Sequence, residues 1–167
     1  MTVDERARAA VRSLAVAGLT VAVAESLTGG LVCAALTTVP GSSAVLRGGV
    51  VVYATDLKAA LAGVDADLLA RQGPVDADVA AAMATGVKDR LGADVGLATT
   101  GVAGPSAQDG HPPGTVHVAV ASADGVVVRS RVGTGRLAGD RGEIREATVR
   151  MALGLLADRE SSGRFAR

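Results

Sequence analysis

Aromatic residues are almost missing from this chain: it has one Tyr and one Phe in 167 residues, and no Trp. That excludes the aromatic platforms on which single-stranded bases stack. Neither sign of charge is in excess, because 17 Lys and Arg balance 17 Asp and Glu. Without a positive surplus there is no electrostatic basis for gripping a nucleic-acid backbone or an anionic membrane. A lone cysteine, Cys33, leaves no intrachain disulfide. The two histidines, His111 and His117, have no carboxylate or thiol partner at metal-ligand spacing and read as structural or surface residues. No apolar run reaches the roughly 18 residues of a membrane-spanning helix. The start, MTVDERARAA, is charged where a secretory leader would be apolar. These absences predict a cytoplasmic domain that binds neither nucleic acid nor membrane and holds no metal.

What is present is apolar and small-sided: 49% of the residues are hydrophobic and 20% charged. Such a chain folds as one domain over 1–167, with a core of about 5–158, and its Ala/Val-rich faces favour a homo-oligomer. Thr2 and Glu5 have capping-box spacing, and Val3, Ala7, Ala10, Val11 and Leu14 follow at helical spacing as far as Gly18. Thr20–Ala24 reads as a strand, and Thr28-Gly29-Gly30 opens a helix over Leu31–Thr38 that Pro40-Gly41 ends. Val50–Tyr53 is apolar on both faces, which predicts a central strand buried under helices. Asp56, Asp65 and Asp76 stand as helix N-caps, the last opening a longer helix stopped by Gly92, with Asp76 and Asp78 as helix-start charges. Val95–Thr100 is a strand, 101–114 a Gly/Pro-rich loop, and Val116–Ala121 and Val126–Val132 a hairpin joined through Asp124-Gly125. Asp140 with Glu143 caps a last helix, and the tail frays from Arg159. The order α-β-α-β-α-α-α-β-β-β-α predicts an α/β fold, a mostly parallel sheet with one hairpin and helices on both faces.

Ligands of such sheets lie beyond the carboxyl ends of the strands. Three segments fall there: Glu25–Gly30 (ESLTGG), Tyr53–Lys58 (YATDLK) and Thr99–Pro105 (TTGVAGP). Each joins hydroxyl groups to glycines or a capping residue, which lets backbone N–H groups approach an anion. One such segment alone is an ordinary helix cap; three in one layer argue for a site. Lys58 is one of only two lysines and sits in the apolar stretch Leu57–Leu61. A desolvated lysine loses its proton more easily and can activate a hydroxyl such as that of Ser26; the plainer alternative is a solvated lysine on an exposed helix face. Tyr53, at the end of its strand, is either a core tyrosine or a hydroxyl reaching the site. Arg141 and Arg145 stand one turn apart at the start of the last helix, where cations oppose the helix dipole. An anionic ligand would offset that, and so would Asp140, Glu143 or Glu146. Cys33 reads as a small buried hydrophobe. The residues thus leave open a Ser–Lys acyl-transfer enzyme and a nucleotide-binding module.

The segments AESLTGG (24–30), PGSS (40–43), GVVVY (49–53) with Lys58, TGVAGP (100–105), PGTV (113–116) and GDR (139–141), in this order, resemble the CinA C-terminal domain family. That family comprises nicotinamide-nucleotide amidohydrolases, and the resemblance covers about Leu14 to Leu156, in the family's stand-alone form. It implies a three-layer α/β/α sandwich on a five-stranded mixed sheet. The implied activity is hydrolysis of the carboxamide of nicotinamide mononucleotide to nicotinate mononucleotide and ammonia, without a cofactor. By the same resemblance Ser26 matches the nucleophile, Lys58 the general base and Tyr53 an assisting residue. Thr100 and Arg141 fall on site positions, and Thr28, Gly29, Gly30, Ser42, Gly101 and Arg145 complete the expected substrate contacts. The chain departs from the family pattern at Leu27, at Thr55 and over 108–112. The alternative is a binding module of the same fold, linked to competence or damage, without turnover.

Overall fold

The caps at the ends of the first helix are local and form as the sequence dictates. The computed structural model describes residues 1–158, so the tail from Arg159, expected to fray, lies outside the described residues. In α1 (Val3–Ala17) the Thr2 side chain accepts the Glu5 N–H while the Glu5 carboxylate accepts the Thr2 N–H, and Gly18 at φ 67° ends the helix. There follow β1 (Val21–Glu25), α2 (Leu31–Thr37), β2 (Leu46–Val51), α3 (Thr55–Ala60), α4 (Ala66–Gln72), α5 (Ala77–Arg90), β3 (Val95–Gly101), β4 (Val116–Ser122), β5 (Gly125–Arg131) and α6 (Arg141–Asp158). Asp65 and Asp76 cap α4 and α5 with their carboxylates, and Asp140 and Glu143 exchange backbone and side-chain bonds at the start of α6. Asp56 does not cap α3: Ala54 holds that position and Asp56 lies in the first turn.

The strands lie in the order β2-β1-β3-β4-β5, with β1 parallel to both β2 and β3, and β4 antiparallel to both β3 and β5. Only β4 therefore opposes the common direction, which makes the sheet mixed and mostly parallel, as expected. The hairpin closes on Ser122 opposite Gly125, so its two loop residues are Ala123 and Asp124, one place earlier than the Asp-Gly pair suggests. A larger correction concerns Val50–Tyr53. The strand that carries Val50 and Val51 is an edge strand with a neighbour on one side only, and its residues alternate between half-buried and exposed. Val52 alone is fully buried, and Tyr53 turns outward at 60% exposure.

The two faces of the sheet differ in side-chain size. Val21, Val23, Val95, Leu97, Val118 and Val120 pack under α1, α2 and α6. On the other face Ala22, Ala24, Ala98, Ala119 and Ala121 let α5 approach closely. At Gly96 a Cβ would stand 1.8 Å from the Ala84 carbonyl oxygen of α5, and one at Gly86 would stand 1.8 Å from the Ala62 carbonyl oxygen. The result is a three-layer α/β/α sandwich. Thr20 and Asp94 tie the starts of β1 and β3 together through Asp94 Oδ2, which accepts from the Thr20 N–H at 2.8 Å and hydroxyl at 2.7 Å. The ends of those strands thus open side by side onto the loops.

Candidate active site

The last residue of β1 is an acid with no access to water. Glu25 is fully buried, and its carboxylate accepts the N–H groups of Gly30 at 3.0 Å, Val32 at 3.0 Å and Cys33 at 2.8 Å. The N-terminal turn of α2 is therefore already neutralised by the chain's own anion and is closed to a substrate phosphate. Between Glu25 and α2 runs the turn that carries Ser26. The Ser26 N–H continues the pairing of β1 with β3 by donating to the Thr99 carbonyl at 3.0 Å, and Gly29 N–H closes the turn onto the Ser26 carbonyl at 3.0 Å. The hydroxyls of Thr28 and Thr99 meet at 2.8 Å beneath it.

Lys58 comes to this turn from α3. Its Nζ donates to Ser26 Oγ at 2.9 Å and to the Val52 carbonyl at 3.0 Å, and the side chain is only 1% exposed. Burial pushes its pKa from the ordinary 10.5 down to about 8. The plainer reading, a solvated surface lysine, does not hold. Ser26 and Lys58 open into a cavity whose charged lining groups are Lys58 and Arg141, with no carboxylate among its walls. An uncompensated positive wall favours an anionic ligand.

Tyr53, Thr100, Gly101 and Arg141 line the same cavity. Arg141 donates to the Gly104 carbonyl at 2.6 Å and to the Tyr53 hydroxyl at 2.9 Å, so it joins α6, the 101–114 loop and the end of β2 across the mouth. The Thr100 hydroxyl is committed to the Pro74 carbonyl at 2.6 Å and fixes the connection between α4 and α5. Thr28, Gly29, Gly30 and Arg145 are not walls of this cavity; they frame the Ser26 turn. Arg145 donates from Nε to the Leu27 carbonyl and from Nη2 to the Thr28 carbonyl, both at 3.0 Å. Neither arginine pairs with the acids of its own helix: Asp140 and Glu143 bond to each other's backbone, and Glu146 holds Arg150. Ser42 lies in the turn that precedes β2, a parallel strand, and so sits at the opposite end of the sheet from Ser26.

Sequence reasoning assigned no role to Glu25 or Thr99. The available signal was an acid closing an otherwise apolar strand, which has to find donors once the strand is buried. Cys33 is half-buried, and burial, followed by the Glu25 charge, raises its thiol to about 12, which leaves it unreactive at neutral pH. His117 is buried with Nδ1 2.7 Å from Ser130 Oγ, and burial lowers its pKa. Among the described residues no group of His, Cys, Asp and Glu is arranged to hold a metal, and no helix is long and apolar enough to cross a membrane.

Fold and site together define an α/β/α sandwich domain built around a buried serine–lysine pair. The CinA C-terminal domain matches residues 3–159, and the chain belongs to that family. A CinA-like protein from Frankia casuarinae is 56% identical over 82% of this chain, and one from Mycolicibacterium gilvum is 47% identical over 88%. The chain spans about a third of the length of these relatives, 31% and 34% respectively. Among solved structures, competence/damage inducible protein CihA from Agrobacterium tumefaciens superposes with a TM-score of 0.84 at 40% identity, covering 92% of this chain and 93% of that one. A CinA superfamily protein from Klebsiella pneumoniae gives 0.90 at 29% identity, covering 97% and 99%.

Proposed function

We propose that the domain hydrolyses the carboxamide of nicotinamide mononucleotide, releasing ammonia and nicotinate mononucleotide, with Ser26 as nucleophile and Lys58 as base. The observation that carries this reading is the 2.9 Å contact between the Lys58 amine and the Ser26 hydroxyl in a buried, carboxylate-free pocket. Neutral Lys58 takes the hydroxyl proton as Oγ bonds to the carboxamide carbon. The tetrahedral intermediate then breaks its C–N bond, and Lys58 returns the proton to the departing ammonia. Water, activated by the same amine, attacks the acyl ester and restores the Ser26 hydroxyl as the carboxylic acid leaves. Arg141, the exposed cation at the mouth, is suited to the substrate phosphate, and Tyr53 orients Arg141 by accepting its hydrogen bond.

The test is ammonia release from nicotinamide mononucleotide by the parent protein and by Ser26→Ala, Lys58→Ala and Tyr53→Phe. The expected result is loss of turnover by at least about a thousandfold in the first two, and a smaller loss in the third. Full activity in Ser26→Ala overturns the covalent route. Binding of the mononucleotide by the parent without ammonia release overturns the enzymatic reading and leaves a binding module.

A further inference from the structure

Arg145 was expected to touch substrate, yet its guanidinium turns away from the cavity and grips two consecutive carbonyls, those of Leu27 and Thr28, over Gly29. These are the residues that immediately follow the nucleophile. A peptide unit is planar and trans, so its N–H and C=O point in opposite directions and fixing one aims the other. The Ser26 carbonyl is drawn into the turn by the Gly29 N–H, which leaves the Leu27 N–H directed out of the turn. Leu27 is a wall of the Ser26 cavity, and its N–H meets no acceptor among the described residues. A donor left unpaired beside a nucleophile is where the oxygen of a tetrahedral intermediate finds its partner. The N–H groups of Ser26, Gly29 and Gly30 are committed to Thr99, Ser26 and Glu25, and the Thr28 hydroxyl meets that of Thr99. The Thr28 N–H is also unpaired among the described residues, but Thr28 is not a wall of the cavity and Leu27 is.

We infer that the Leu27 N–H is the oxyanion donor and that Arg145 is a positioning residue. The Ser26 carbonyl, held by the Gly29 N–H, aims this donor, and the two Arg145 bonds hold the peptide units that follow Leu27, so that the turn keeps the donor beside the oxygen of the reacting carbonyl. The inference rests on Ser26 being the nucleophile. It also separates the two arginines of α6 by role: Arg141 faces the ligand, and Arg145 faces the backbone that carries Ser26.

Three measurements on Arg145→Met and Arg145→Lys test this. The first two are turnover of nicotinamide mononucleotide and turnover of its dephosphorylated form, nicotinamide riboside. The third is the rate at which an alkyl phosphonofluoridate labels Ser26, read by mass spectrometry. In the labelling step the Oγ–P bond forms, the P–F bond breaks and fluoride leaves, while the hydroxyl proton passes to Lys58 and the phosphoryl oxygen takes the oxyanion position. A positioning role lowers kcat for both amides and the labelling rate by the same factor, about ten- to hundredfold, with KM within twofold. Lysine cannot reproduce the two-pronged grip, so Arg145→Lys shows the same loss and keeps the test decisive should Arg145→Met fold poorly. A KM increase for the mononucleotide alone, with riboside turnover and labelling unchanged, makes Arg145 a phosphate ligand and overturns the proposal. Unchanged behaviour in all three assays also overturns it. A parent protein that labels at Ser26 but hydrolyses neither amide refutes the substrate reading, and the labelling arm still decides the role of Arg145. A parent that neither labels nor hydrolyses refutes Ser26 as nucleophile, and this inference falls with it.

Discussion

At pH 7 a lysine with a pKa of about 8 is mostly protonated, but about a tenth of the molecules carry the neutral amine that can accept the Ser26 proton. An ordinary lysine would present less than a thousandth. If Lys58 is the base, kcat/KM rises about tenfold per pH unit below pH 8 and levels off above it, a profile measurable by initial rates in ammonia release. The same burial makes Lys58 costly to the fold. Replacing it with methionine removes a desolvated ammonium and fills a similar volume, at the loss of the bonds to Ser26 and Val52. Lys58→Met is therefore expected to abolish turnover while leaving the melting temperature at pH 7 unchanged or raised. A fall of more than a few degrees in calorimetry would contradict this account of the pocket.

At the scale of elements, what could be read from sequence depended on the distance over which each feature is decided. The caps at Thr2, Asp65, Asp76 and Asp140 are settled within three residues and were all legible. The run Val50–Tyr53 was misread because edge or centre is decided by which strands come to lie beside it, and nothing in the run encodes its neighbours. The pairing of Ser26 with Lys58 was legible as chemistry, through a rare lysine in an apolar setting, although 32 positions separate them. The grip of Arg145 on the Ser26 turn was not legible, since its partners are backbone carbonyls that any sequence supplies. Gly96 shows how tightly the α5 face depends on small residues. Gly96→Ala would drive a methyl group into the Ala84 carbonyl, and α5 would have to lift from β3. A loss of about 3 kcal/mol or more in denaturant unfolding is expected, against little change for Gly135→Ala, where a Cβ has open space.

For the whole molecule, the buried lysine couples stability to alkalinity. The folded-state pKa of Lys58, about 8, lies below the ordinary 10.5, so between these values the unfolded chain binds more protons and stability rises with pH. The full difference is about 3 kcal/mol. Cys33 acts in the opposite sense, because its buried thiol, raised from 9.0 to about 12, contributes stability that is present below pH 9 and is lost as the pH climbs toward 12. Comparing the parent with Lys58→Met cancels the thiol, which both share. The stability advantage of the variant at pH 7 should shrink steadily from pH 8 to 10.5, and an advantage that stays constant across that range would show that Lys58 is not the titrating group.

The Lys58 amine is tuned by desolvation, with no neighbouring cation pressing on it and no carboxylate holding it. Its readiness to take a proton therefore belongs to the seal of the surrounding loops more than to any partner side chain. A slight breathing of that seal, too small to disturb the sheet, would hydrate the nitrogen and return it to an ordinary ammonium. In such a design leakiness and idleness are one condition, and a protein can fall silent while every helix and strand is still in place.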